Sequence, residues 1–343
     1  MRFASFLLRR LLYSALVLLS LSVLIFVIAR VLPGDPARLA LGAFATREQV
    51  EQLRQEMGLD QPLPLQYFAY VSGALRGDFG KSFFTGREVG MDLARGLPAT
   101  LELVLAATFW ILIVGIPLGV LSARYRDSFI DNATRSLAFV GVAVPAFVVG
   151  LTCQLAFSYG LGVLPTVGRL SIMMPKPPHV TGFMLIDSLI AGRLDTFVDA
   201  FRHIVLPSIS LALVGIGQIA RITRASMIDV MSKDYIEASR AFGIPARPLA
   251  LKYTLRPAFI PPLTVLGLVF AFQLSNAFLI ETVFAWPGMA KYGIQSILRK
   301  DFNAIMGVVL IVGIAFVVVN FVVDILAGFV DPRIRKRGEA VGQ

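Results

Sequence analysis

One cysteine and two histidines are all that 343 residues offer to thiol and imidazole chemistry. Cys153 alone allows no intrachain disulfide. With His179 and His203 far apart in sequence, the chain also lacks the ligands of a tetrahedral zinc site. Charge is scarce too: 16% of the residues are Asp, Glu, Lys or Arg against 56% hydrophobic, too little polar surface to cover a soluble globule of this length. No G-x-S-x-G elbow, H-E-x-x-H pair or other i, i+4 histidine pair is present, so no catalytic or metal residues are assigned. The formal charge of +10 raises nucleic acid as a partner, but the basic residues gather at the ends of apolar runs rather than in a stripe interleaved with aromatics. No nucleic acid is expected.

What the chain has in abundance is long apolar runs. Six approach the roughly 20 residues that cross about 30 Å of hydrocarbon: 10–32, 99–123, 136–160, 203–220, 257–284 and 304–330. The expected fold class is an all-α integral membrane protein with six transmembrane helices. The fourth run is the weakest, carrying Pro207, Ser208, Ser210 and Gln218, which neighbouring helices can accommodate. The first has the basic start of a signal peptide, but its apolar stretch is too long and no A-x-A-like site follows, so it is read as a retained helix.

Placing the N-terminus inside puts 17 basic and 7 acidic residues in the cytoplasmic pieces, against 14 and 12 in the longer outside pieces. Lysine and arginine favour the cytoplasmic side. Both termini are therefore expected in the cytoplasm. The resulting division is 1–32 (N-terminus and first span), 33–98 (an extracytoplasmic helical insertion), 99–330 (a five-span core) and 331–343 (a cytoplasmic tail). The core includes an outer loop, 161–202, and a cytoplasmic loop, 221–256, between spans four and five.

In the insertion, Thr46 and Gln49 have capping-box spacing and predict a helix to Met57, stopped by Gly58; a second helix spans Pro64 to Leu75. "GDFGKS" (Gly77–Ser82) resembles a phosphate loop only in part, because Leu75 stands where the first glycine must be and no strand precedes it. A turn closing the external subdomain is expected instead.

The segment "DYIEASRAFGIPARPLALKYTLRP" (234–257) is unlike its apolar neighbours. Asp234 and Glu237 have capping-box spacing, Tyr235, Ile236, Ala238, Ala241 and Phe242 supply an apolar side, and Gly243 supplies a left-handed stop. Pro245 and Pro248 punctuate the chain before a second helix resumes at Leu249. Physical chemistry leaves two readings open: an amphipathic loop resting on lipid head groups, or an element docked on another protein.

"EASRAFG" (Glu237–Gly243) resembles the E-A-A-x-x-x-G signature of the inner-membrane subunits of bacterial ABC importers. Ser239 replaces an alanine, and Arg256 occupies the usual proline place with Pro257 one later. "LPGDP" (Leu32–Pro36), "LPTVGR" (Leu164–Arg169), "TGFMLIDSLIAG" (Thr181–Gly192), "RHIVLPSISLAL" (Arg202–Leu213), "ETVFAWPGM" (Glu281–Met289) and "DPRIR" (Asp331–Arg335) extend the likeness nearly end to end. The set is similar to the binding-protein-dependent dipeptide/oligopeptide permeases, most of all the B-type permease of dipeptide importers. That resemblance implies a coupling helix seated in an ATPase subunit, with Asp234, Glu237 and Arg240 as polar contacts, Ala238 as the close-packing residue and Gly243 as the turn. It also implies a second permease subunit, in a heterodimer, two ABC ATPases and an extracytoplasmic substrate-binding protein, alongside membrane lipid. ATP and magnesium would then belong to the ATPases, with no cofactor in this chain. The cargo implied is dipeptides or short peptides; nickel chelates, glutathione and other small solutes are the alternatives. A membrane enzyme or receptor working without an ATPase is the remaining class.

Polar residues within the spans are Gln154, Ser158, Ser210, Gln218, Gln273, Ser275, Asn276 and Asn320. Such residues face a bundle interior or water. Gln273 and Asn276, three apart on the span leading from the charged loop, are the candidates for a translocation pathway; the others are expected to bond neighbouring helices. Glu102, Glu281 and Asp324 lie near span ends, as helix caps or water contacts.

Overall fold

The computed structural model describes residues 2–31, 35–42 and 44–330. Most of "LPGDP", the tail 331–343 and its "DPRIR" lie outside the described residues. Among the described residues there is no strand, only an isolated bridge between Lys81 and Glu88. The helices are α1 (Arg2–Val31), α2 (Pro36–Leu41), α3 (Arg47–Glu56), α4 (Leu63–Leu75), α5 (Val89–Trp110), α6 (Ile116–Arg124), α7 (Phe129–Ala143), α8 (Ala146–Cys153), α9 (Met184–Ile190), α10 (Leu194–Met231), α11 (Asp234–Ala241), α12 (Ala246–Pro248), α13 (Arg256–Ala258), α14 (Ile260–Val283), α15 (Met289–Leu298) and α16 (Phe302–Val330). Wide π-type turns at Ile111–Gly115, Gln154–Gly160 and Leu249–Leu255 carry the helical path from α5 into α6, beyond α8 and from α12 into α13.

Five helical stretches are long and apolar enough to span a bilayer, and a bent pair makes a sixth if counted as one span. The bent pair corrects the expected third span. Residues 136–160 do not form one straight helix: α7 and the Ala146–Gly160 stretch meet at 104°. Pro145 causes the break, since proline disfavours helical backbone at the residue before it, and Val144 is extended at φ −99°, ψ 123°.

The fourth run, weakest in sequence, becomes the central helix. α10 packs on α5, α6, α7, α8 and α14, and 72% of its most apolar stretch is buried, against 17% in α1 and 11% in α16. Its polar residues face protein: Ser208 accepts from Trp110 Nε1 at 3.0 Å, and Ser210 donates to the Leu206 carbonyl at 2.8 Å. Glycines bring the backbones together. A Cβ on Gly119 would lie 2.6 Å from the Ala220 carbonyl oxygen, which sets how closely α6 approaches α10.

The N-terminal insertion forms as its local signals predict. Thr46 and Gln49 make a reciprocal capping box at α3, and Gly58 takes φ +62° just beyond it. Tyr67 and Tyr70 of α4 pack on Phe26 of α1, and burial pushes the Tyr70 phenol up to about 12. "GDFGKS" is a turn, with Gly77 and Gly80 at φ +80° and +76°. Ser82 donates to Asp301 at 2.5 Å and Asn303 donates to the Lys81 carbonyl at 2.9 Å, fixing this turn to the start of α16. The 161–202 loop is held through Asp187. Burial opposes charge on Asp187, but bonds from Thr181, Gly182 and Val180 outweigh it and hold the carboxyl below its ordinary range.

Candidate functional site

α11 is an eight-residue helix displayed at one end of the bundle. Ile236 anchors it and is fully buried, while Asp234, Glu237, Ala238, Arg240 and Gly243 are all exposed. The expected capping box is absent. Asp234 is already the first helical residue, and Lys233 at the N-cap makes no side-chain bond. Asp234 and Glu237 in the first turn and Arg240 in the last instead complement the helix dipole. Among the described residues, none of these three side chains has an ion-pair or hydrogen-bond partner. They are free for another surface.

The stop is a Schellman motif. The Gly243 N–H donates to the Arg240 carbonyl at 2.9 Å and the Ile244 N–H to the Ser239 carbonyl at 3.1 Å. Gly243 sits at φ +74°, and a Cβ there would meet nothing within 4 Å. The glycine is needed for its backbone conformation alone. Beside it Phe242 is 87% exposed, an apolar ring left uncovered by the described residues.

One connection of α11 is short and the other is largely helical. Only Ser232 and Lys233 separate it from α10, and α12, the wide turn and α13 lead on to α14 with Phe259 between. Leu249 is buried and Thr254 donates to its carbonyl at 3.0 Å. Pro257 falls where the helix restarts after the wide turn, so the displaced proline does not interrupt the path to α14. α11 is thus joined along the chain to α10 on one side and to α14 on the other, two helices packed against each other in the core.

The two pathway candidates are not brought into one cluster. Gln273 is buried at the contact with α5, accepting from Thr108 Oγ1 at 3.0 Å, and its Nε2 has no partner. Asn276 is half-buried and donates to the Phe272 carbonyl of its own helix at 2.9 Å. Gln154 bridges to the Thr166 and Val283 carbonyls, Ser158 to Pro165, and Asn320 to Phe316 of its own helix.

The acidic residues at span ends all have partners. Glu102 pairs with Arg169 and accepts from the Leu185 N–H at 2.8 Å. Glu281 is fully buried, accepting from Thr100 at 2.5 Å and the Lys291 N–H at 2.7 Å. A Cβ on Gly288 would lie 2.0 Å from that carboxylate, so the "ETVFAWPGM" motif is a closed structural turn. Asp324 pairs with Arg10, tying α16 to α1. A further pair had no sequence signal: Asp131, fully buried, accepts from Arg224 at 2.6 and 2.7 Å across 93 positions. Among the described residues no group of three His, Cys, Asp or Glu could hold a metal ion.

Residues 115–336 match the family described as binding-protein-dependent transport system inner membrane component, and residues 3–104 match the N-terminal family of the same membrane components. The chain is 45% identical to the probable D,D-dipeptide transport system permease protein of Escherichia coli (strain K12), over 94% of this chain and 95% of that protein. It is 38% identical to the di/tripeptide transport system permease protein of Pseudomonas aeruginosa (strain UCBPP-PA14), over 96% and 98%. It is 35% identical to the glutathione transport system permease protein of Escherichia coli (strain K12), over 96% and 99%. An exposed, glycine-stopped helix wired to two core spans and an end-to-end family match converge: the chain belongs to the binding-protein-dependent transport system inner membrane components, multi-pass permeases of ABC systems that work with a substrate-binding protein and an ATPase.

Proposed function

We propose that this chain forms half of the pathway of an ATP-driven importer for dipeptides or short peptides. The observation that carries the transport reading is α11, whose exposed Asp234, Glu237, Ala238, Arg240 and Gly243 form the ATPase contact. Two ATPase chains bind ATP and magnesium and perform the hydrolysis, and this chain has no catalytic role. A different second permease completes the pathway, with Gln273 and Asn276 as its polar elements in this subunit. When the ATPases close on ATP they carry α11 with them, and α10 and α14 rock. The two states differ in energy because the docked contact differs. Cargo follows from the two more similar relatives, both named for peptides; glutathione is the second reading, from the 35% relative.

The test of cargo is uptake of labelled L,L- and D,D-dipeptides by cells with and without the gene, competed by tripeptides, glutathione and nickel. Gene-dependent dipeptide uptake that glutathione and nickel fail to compete is expected. Unchanged uptake in cells lacking any other peptide importer would move the cargo to the other solutes.

We also place both termini and α11 in the cytoplasm, on the lysine and arginine bias. A reporter fused after Gln343 should read as cytoplasmic, and one inserted in the 161–202 loop as external. The opposite pair of readings would overturn this orientation and with it the ATPase contact.

A further inference from the structure

A groove of about 470 Å³ runs between α7 and α10, towards the end of the bundle that carries α11. Ala138, Phe139, Val142 and Gly217 make its walls, and Arg135 and Arg221 stand at its rim. Its depth comes from small residues: a Cβ on Gly217 would lie 2.7 Å from the Ala138 Cα, so the two backbones nearly touch at the floor. The walls open outward, with Phe139 77% and Val142 63% exposed.

The charges at the rim are unequally satisfied. Arg224, which also lines the groove, is spent on Asp131, to which it donates twice, and Arg135 pairs with Asn132 and lies 3.8 Å from Asp131. Arg221 is exposed and has no hydrogen-bond or ion-pair partner among the described residues. Three arginines line the groove against Asp131, while nearby Asp127 is paired with Arg126, which leaves the rim positive.

The depth of this rim in the bilayer can be read from α10. Arg202 and Arg221 bracket an uncharged stretch, 203–220. At 1.5 Å per residue that stretch is about 27 Å long, close to the hydrocarbon thickness of a bilayer. Arg221 therefore lies at the level of the lipid head groups, with the apolar walls of the groove reaching into the acyl region. A cationic rim at head-group depth over an apolar slot matches an anionic amphiphile.

We propose that the α7–α10 groove is a binding site for one anionic phospholipid, its phosphate held by Arg221 and Arg135 and one acyl chain lying along Phe139 and Val142. The site shares no residue with α11 or with the pathway candidates and would add a lipid dependence to the transporter. A bound lipid would also brace the junction of α6, α7 and α10 below the break at Pro145.

The test uses the whole purified transporter, stripped of lipid and titrated with fluorescent phosphatidylglycerol or phosphatidylcholine. Phosphatidylglycerol should bind at one site per copy of this chain, at least tenfold more tightly than phosphatidylcholine, and inorganic phosphate should not displace it. Arg221→Gln should weaken binding roughly fivefold, the factor expected for one basic residue at a membrane surface. Val142→Trp, which narrows the slot and leaves every arginine in place, should weaken it as well. A photoreactive residue at position 142 should label lipid. Equal binding of the two lipids, binding unchanged in both variants, displacement by phosphate, or cross-linking at position 142 to the second permease or to labelled peptide would each overturn the proposal.

Discussion

Replacing Gly243 by proline in the assembled transporter is expected to leave the ATPases hydrolysing ATP while peptide uptake falls by roughly tenfold or more, the factor that about 1.4 kcal/mol of lost coupling produces. Proline is locked near φ −65° and has no N–H, so it can neither take φ +74° nor donate to the Arg240 carbonyl. The turn after α11 would open and the exposed face carrying Glu237 and Arg240 would be re-aimed. Gly243→Ala should be milder, since nothing lies within 4 Å of the added carbon and only the left-handed penalty of about 1–2 kcal/mol applies. Glu237→Arg tests the same contact without touching the backbone, because its side chain is exposed and unpaired here. Uptake and hydrolysis measured on one reconstituted preparation decide the matter. Full coupling in both Gly243→Pro and Glu237→Arg would remove α11 from the mechanism.

Loss of the Asp131 carboxylate should be the most damaging single change to stability. The side chain is fully buried where α6, α7 and α10 meet and accepts from Ser122, the Asp127 N–H and twice from Arg224. Asp131→Leu leaves the half-buried Arg224 guanidinium without its paired carboxylate, a change that costs at most about 3–5 kcal/mol, the range of fully buried pairs. Thermal unfolding in detergent, followed by loss of the folded complex, should show this as a large drop in midpoint. The double variant Asp131→Leu, Arg224→Leu should recover much of the loss, because it removes both charges together. If the double variant melts below either single one, the pair contributes through its other hydrogen bonds rather than through charge balance.

How much of this was legible without coordinates differs from element to element. The short range was readable: the Thr46–Gln49 box, the stop at Gly58, the turn at Gly77–Ser82 and the left-handed Gly243 each depend on residues within a few positions of one another. Two local signals pointed elsewhere. Asp234 and Glu237 had capping-box spacing, yet the helix begins one residue too early for it to form. Pro145 carried the break of the third span in plain view, but an uninterrupted run of apolar residues outweighed it. The helix α11 was legible because it is one contiguous stretch.

By itself the amino-acid sequence determined that this is an all-helical membrane protein with a charged, glycine-stopped helix between two spans, because apolar run length, turn chemistry and charge placement are local properties. Only the tertiary structure decided which helix lies at the centre and which charges are satisfied. α10 is central despite its proline and serines, since its polar groups find partners on α5 and within its own turns. Asp131 meets Arg224, Glu102 meets Arg169 and Glu281 meets Thr100 across 93, 67 and 181 positions. No spacing rule reaches that far. Each carboxylate is stable where it lies because the fold brings its donors to it, and the same long-range packing leaves Arg221 beside the groove with no partner among the described residues.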